Sequence, residues 1–168
     1  MRNINQIAVL DVDERGVDWS WGSGALRGQH QPAVLGNGNL LIFDNGRDQS
    51  RDRWSRVVEL DPSSREIVWQ YPEDPTGPAR FYSRNRGGNQ ELPNGNILVT
   101  DSGESCVFEV TRNREIVWRW HNPVQLSLTR REVIYRMQRL PLDFFGPVLE
   151  APQSTVTRPQ PGSPAVEG

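Results

Sequence analysis

Lysine is absent from this 168-residue chain, and cysteine occurs once, at Cys106. A single cysteine excludes an internal disulfide framework and a thiolate zinc cluster. Histidine is nearly as scarce, with only His30 and His121. No apolar run approaches the ~18 residues that a membrane span needs. The opening Met1-Arg2-Asn3-Ile4-Asn5-Gln6 lacks the apolar centre of a signal peptide. Excess charge is missing as well: 19 basic residues face 21 acidic ones, for a net charge of −2. That balance excludes a nucleic-acid-binding arm and a polybasic membrane anchor. The length suits one domain with a real core, not two large ones. An all-arginine basic set fits either a GC-rich coding sequence or a preference for the planar fork that grips anions.

Turn formers and tryptophan are plentiful. Glycine (15) and proline (13) together exceed the usual ~12% of a chain, which points to many turns and many short strands. Five of the six tryptophans fall into one recurring pattern. Val17-Asp18-Trp19-Ser20-Trp21, Ile67-Val68-Trp69-Gln70-Tyr71 and Ile116-Val117-Trp118-Arg119-Trp120 each alternate with period two, the mark of a strand. A short β-branched run precedes each: Ala8-Val9-Leu10-Asp11, Val57-Val58-Glu59-Leu60-Asp61 and Val107-Phe108-Glu109-Val110-Thr111. The polar links between them carry Pro, Gly, Asn, Asp and Ser, which suit tight turns.

A further pair of strands is signalled twice. Val34-Leu35-Gly36-Asn37-Gly38-Asn39-Leu40-Leu41-Ile42-Phe43-Asp44 parallels Glu91-Leu92-Pro93-Asn94-Gly95-Asn96-Ile97-Leu98-Val99-Thr100-Asp101. Asn-Gly between apolar runs predicts a hairpin with a type I′ turn, in which two residues take positive φ. One repeat is then four strands in about fifty residues, the size of one β-propeller blade. The expected fold is all-β: about two and a half antiparallel four-stranded blades of an incomplete β-propeller. Residues 1–21 supply the last two strands of a blade, and 22–71 and 72–120 are whole blades. Residues 121–150 form a C-terminal segment, and 151–168 a Pro/Ser-rich disordered tail. Within 126–140, Val133-Ile134-Tyr135 favours strand over a short helix opening at Thr129. Two and a half blades do not close a ring. The start in mid-blade points to a piece of a longer protein, with self-association into a ring or an open stack of sheets as the alternatives.

The run from Gln29-His30-Gln31 through Leu35-Gly36-Asn37-Gly38-Asn39 to Phe43-Asp44-Asn45-Gly46 resembles the arylsulfotransferase-like propeller family. The stretches Glu66-Ile67-Val68-Trp69, Phe81-Tyr82-Ser83, Leu92-Pro93-Asn94-Gly95-Asn96 and Glu115-Ile116-Val117-Trp118 continue the likeness over about residues 7–140. The resemblance implies transfer of a sulfo group from a phenolic sulfate ester to a phenol through a sulfohistidine at the propeller axis. It implies no nucleotide donor, and no cofactor or metal is expected. The partners it implies are a small aryl sulfate and a phenol, together with the missing blades, but no nucleic acid. The family's enzymes act outside the cytoplasm, in a periplasmic or similar compartment, although no export signal is visible here.

His30 is the residue that matches the family's histidine. It lies just before the first strand of a blade, near the mouth of the central channel, and its counterpart in the next repeat is Gly87. A neutral imidazole is a good nucleophile near pH 7, and a lone histidine is also commonly a structural one. Arg27, Arg84 and Arg86 precede the same inner strands and are candidate anion or substrate ligands, or else a solvated rim. The family more often has small and apolar residues where Arg84-Asn85-Arg86 stand. It also places several histidines around the axis where this chain has two, so the site here is expected to be incomplete. A noncatalytic propeller that binds a ligand or protein is the competing reading, and a quinoprotein-type propeller the third. Asp11-x-Asp13-x-Arg15-Gly16 reads as a turn, because Arg15 stands at a calcium-ligand position. His121 reads as a surface loop residue and Cys106 as a buried, inert strand residue.

Overall fold

The computed structural model describes residues 1–46 and 53–144. The tail 151–168 and nearly all of the Arg/Asp loop 47–53 lie outside the described residues. The described chain is all-β, apart from one 3-10 turn at Arg2–Ile4. A hairpin of β1 (Ile7–Leu10) and β2 (Val17–Trp21) comes first. β3 (His30–Val34), β4 (Leu40–Asp44), β5 (Arg56–Asp61) and β6 (Glu66–Tyr71) then pair in sequence order as an antiparallel sheet. β7 (Gly88–Glu91), β8 (Ile97–Asp101), β9 (Cys106–Val110) and β10 (Ile116–His121) form a second sheet of the same kind. A small hairpin of β11 (Gln125–Ser127) and β12 (Arg130–Arg131) follows. Among the described residues no barrel closes, as expected of incomplete propeller blades. No helix is long and apolar enough to cross a membrane.

The sheets stack face to face, and alternating apolar residues fill the gaps between them. Leu41, Phe43 and Val57 of the first sheet meet Ile97, Val99, Phe108 and Val110 of the second, with Trp69 packed alongside. On the other face Ile42, Val58 and Leu60 meet Ile7, Trp19 and Trp21 of the leading hairpin. β4, β8 and β9 are buried on both faces and therefore read as continuous apolar runs.

The Asn-Gly hairpins differ from the expected type I′ turn. Gly38 takes φ 88 and Gly95 φ 80, while Asn37 and Asn94 keep negative φ. The Gly38 N–H donates to the Leu35 carbonyl at 3.0 Å, and the Leu35 N–H to the Asn39 carbonyl at 2.8 Å. This is a three-residue loop with one left-handed glycine. It frees the asparagine side chains for another task. Asn37 and Asn39 both donate to Glu59 Oε1, at 3.1 and 2.7 Å. Asn94 and Asn96 bind Glu109 Oε1 in the same way, at 3.0 and 2.7 Å.

A guanidinium group from the next element completes each carboxylate. Arg112, in the turn after β9, pairs with Glu59 of the preceding sheet and also lies over Trp69 at 5.5 Å. No further described sheet covers the second sheet, and its Glu109 is reached instead by Arg139, at 2.6 Å. Arg139 also lies over Trp118 at 5.3 Å. The segment carrying it is held by Gly87 N–H to the Tyr135 carbonyl (3.1 Å), Met137 N–H to Thr100 Oγ1 (3.0 Å) and Arg139 N–H to Gln90 Oε1 (2.8 Å). Ile134 and Met137 cover Leu92, Leu98 and Val107. The expectation of a strand here is met only by the short β11 and β12. Residues 132–141 run without a ladder: the Met137 and Arg139 N–H groups bond to side chains of the sheet they cover, and the Ile134, Tyr135 and Arg139 carbonyls accept from it.

The clamp has a pH signature. Hydrogen bonds from Asn96 and Asn94, with Arg139 beside them, hold the Glu109 carboxyl down at about 2. A carboxyl depressed below its unfolded value adds stability above that unfolded value, and the stability is lost as pH falls through the folded one. The chain should therefore lose part of its resistance to urea between about pH 4.5 and 2. In Glu109→Gln that part of the loss should be absent, which paired urea titrations across the window would measure.

Candidate functional site

His30 opens β3, opposite Phe43 on β4. Between His30 and Ala33 the register slips by one residue, and Gln31 at the slip takes φ 47. Such a bulge re-aims the side chains beside it. Pairing therefore puts His30 where the second sheet has Gly88 opposite Thr100, one residue on from the counterpart that simple counting gives. The second sheet has no room for a side chain at Gly87, where a Cβ would lie 2.6 Å from the Phe43 ring and 2.9 Å from the Thr100 carbonyl; at Gly88 a Cβ would lie 2.2 Å from Gln31 Oε1, and that side chain would have to move.

The imidazole is anchored at one nitrogen. His30 Nδ1 lies 2.5 Å from Asn45 Oδ1. Asn45 is fully buried, and its Nδ2 donates to the carbonyls of Ser83 (2.6 Å) and Arg86 (2.8 Å). Those two acceptors fix which end of the amide is nitrogen, so Oδ1 faces His30. An amide oxygen only accepts, so Nδ1 carries the proton and Nε2 keeps the lone pair in the neutral ring.

The three arginines gather around the same turn through their backbones. The Arg27 N–H donates to Asp44 Oδ1 at 2.8 Å, the Arg86 carbonyl accepts from Asn45, and Arg84 follows Ser83, whose carbonyl does the same. All three side chains are exposed, and none has an ion pair among the described residues. Beneath them Asp44 is buried. Burial pushes its carboxyl up, against the pull of the Arg27 N–H and of Arg56, whose Nε lies 3.1 Å away. Ser55 Oγ ties the cluster together, donating to the Asn45 carbonyl at 3.0 Å and accepting from the Ser83 N–H at 2.9 Å.

Asn45 is the residue that the sequence reading passed over. Its signal is a break in the repeat: Asp44-Asn45-Gly46 is matched by Asp101-Ser102-Gly103. Serine there reaches elsewhere, to the Ile134 carbonyl at 2.5 Å.

A sizeable cavity lies apart from these four residues. It measures about 730 Å³ and opens where β6 ends, β9 begins and β10 ends. Neither His30 nor Arg27, Arg84 or Arg86 lines it, whereas His121 and Cys106 do. His121 is the exposed last residue of β10 and not a loop residue. Cys106 is buried, and burial, helped by nearby Asp101, pushes its thiol up to about 11. It is protonated near neutral pH and is no nucleophile there.

The chain was compared with known proteins at the level of fold, sequence and family. A solved structure of a protein of unknown function from Bacteroides caccae superposes with a TM-score of 0.45 at 16% identity. That match takes in 70% of this chain, which spans only 39% of the other. The protein ORF5 of Chlamydia phage 1 is 26% identical over 80 residues, 47% of this chain and 83% of the phage protein. The family described as arylsulfotransferase (ASST) matches residues 1–123, the stretch that holds both sheets, His30 and its asparagine, and the chain belongs to that family.

Proposed function

We propose that this chain serves sulfuryl transfer between phenols, with Nε2 of His30 as the nucleophile. The observation that carries the reading is the Nδ1 contact to a buried asparagine, which leaves the lone pair on Nε2. In the first half-reaction that lone pair attacks the sulfur of an aryl sulfate. An N–S bond forms as the S–O bond to the aryl oxygen breaks, and the phenolate leaves with the electron pair. Developing imidazolium charge is spread through Nδ1–H toward Asn45 Oδ1. In the second half-reaction the oxygen of an acceptor phenol attacks the sulfur, the N–S bond breaks with its electron pair returning to Nε2, and the phenol proton goes to solvent. Arg27, Arg84 and Arg86 are the proposed cationic neighbours of the sulfo oxygens, a role that guanidinium forks suit. In this reading residues 22–71 and 72–120 are two propeller blades and 1–21 the last two strands of another. Further donors to the sulfo group come from blades beyond these residues or from other copies of the chain.

The test is release of nitrophenolate from 4-nitrophenyl sulfate in the presence of phenol, with mass in solution measured alongside by light scattering. Turnover that disappears in His30→Ala is the expected outcome. Turnover that survives that substitution, or none by a chain of well-defined mass, sinks the proposal.

The tautomer is testable separately. Nitrogen-detected NMR of the neutral imidazole should show His30 protonated at Nδ1. In Asn45→Ala the preference should be lost, and stability should fall by about 1–3 kcal/mol because two loop carbonyls lose their donor.

A further inference from the structure

We infer that the cavity between the ends of β6, β9 and β10 is a binding site for a small aromatic carboxylate, separate from the His30 cluster. Its volume of about 730 Å³ falls within the roughly 300–1,000 Å³ of small-molecule sites. Three rings that pack on one another make its apolar wall. Tyr71 and Phe81 stack at 6.4 Å, Tyr71 meets Phe108 at 5.6 Å, and Phe81 meets Phe108 edge-on at 5.7 Å. Such a wall offers offset and edge contacts to one more ring.

The rim carries the charge. Arg53 lies over the Tyr82 ring at 5.9 Å and Arg119 over Phe108 at 5.6 Å, with Arg80 beside them. Among the described residues none of these three guanidinium groups is within ion-pair distance of a carboxylate. The arginines that hold the sheets together behave differently: Arg56, Arg112 and Arg139 are committed to Asp44, Glu59 and Glu109. Two acids also line the cavity. Asp101 is turned into its own loop, where its Oδ1 accepts from Ser83 Oγ at 3.0 Å and from the Gly103 N–H at 2.9 Å. Glu104 is exposed, so among the described residues three free guanidinium groups face one free carboxylate.

The ligand chemistry follows from that arrangement. A guanidinium fork matches the two coplanar oxygens of a carboxylate, and the stacked rings match a planar apolar body. Arg119 lies against the wall itself, over the Phe108 ring. Its charge acts on both the Tyr71 hydroxyl and the Cys106 thiol, opposing the burial that pushes each of them up. The thiol is protonated near neutral pH, so the site binds its ligand and does not attack it.

Calorimetric titration of the full chain with benzoate, benzamide and acetate tests the inference. Benzoate should bind at least about tenfold more tightly than benzamide, which lacks the charge, or acetate, which lacks the ring. Arg119→Gln should weaken benzoate by about tenfold with an unchanged melting temperature, as expected for an exposed strand residue. Arg15→Gln, on the distant leading hairpin, should leave benzoate affinity as it is. Equal affinity for benzoate and acetate would reduce the cavity to a patch of positive charge and overturn the inference. Equal loss in Arg119→Gln and Arg15→Gln would overturn it too.

Discussion

A carboxylate that two asparagines and one borrowed arginine surround is the constraint on which this architecture depends. Glu59 and Glu109 sit on strands otherwise filled with apolar side chains, and both are nearly buried. A charge in that position is tolerated only when it is fully hydrogen-bonded. The hairpin loop supplies two amide donors and a neighbouring element supplies the guanidinium. Burial pushes the Glu59 carboxyl up, and the bonds from Asn39, Asn37 and Arg112 outweigh it, so the group stays ionised. The same arginines cover the tryptophans of the preceding strands, which ties the polar clamp to the apolar stack. Such a contact contributes about 0.5–1 kcal/mol at an exposed ring. Its larger effect is to fix how one sheet sits on the next.

That fixed stacking also shapes the two candidate regions. At the sheet ends opposite the Asn-Gly hairpins, the backbone must cross from one sheet to the next through residues 72–87. Asn45 and Ser55 pin this crossing at Ser83 and Arg86, and the pinned amide orients His30. On the other side of the crossing, Phe81 and Tyr82 form the wall of the large cavity. A single loop thus separates an imidazole with a defined lone pair from a cleft rich in rings and guanidinium groups. Asn89 of β7 links the second sheet to β3 and β4 behind it. With its amide nitrogen toward the Gln31 carbonyl (3.2 Å) and its oxygen toward the Phe43 N–H (3.0 Å), it satisfies both.

Much of the fold was legible because period-two alternation, tryptophan spacing and the doubled Asn-Gly motif all report the same local unit. The turn type was misread. Asn-Gly is an economical signal for a hairpin, but the sequence alone does not reveal that Asn37 and Asn94 are held by a glutamate more than a dozen residues away. The covering segment was misread for a related reason. Val133-Ile134-Tyr135 has strand-like composition, yet its backbone partners belong to loops and side chains that only tertiary structure brings near. At the candidate site His30 stood out by its rarity. Asn45 did not, because its role depends on carbonyls 38 and 41 positions along the chain. The cavity was invisible for the same cause: its arginines sit at positions 53, 80 and 119, which share no motif.

The arginine side chains that lock one layer to another reach backward along the chain. Arg65 of the first sheet donates to the Ser20 carbonyl of the leading hairpin, and Arg114 of the second sheet donates to the Gln70 carbonyl of the first. Arg112 and Arg139 likewise reach backward, to Glu59 and Glu109. Each layer is therefore finished by residues synthesised after it. During translation, which delivers the N-terminal layers first, the leading hairpin and then each sheet emerges with its carboxylate or carbonyl still waiting for a partner. Order is ratified retrospectively, one layer behind the ribosome. The short stretch around Arg139 closes the sequence of locks by performing for the second sheet, without a ladder of its own, what a whole sheet performs for the first.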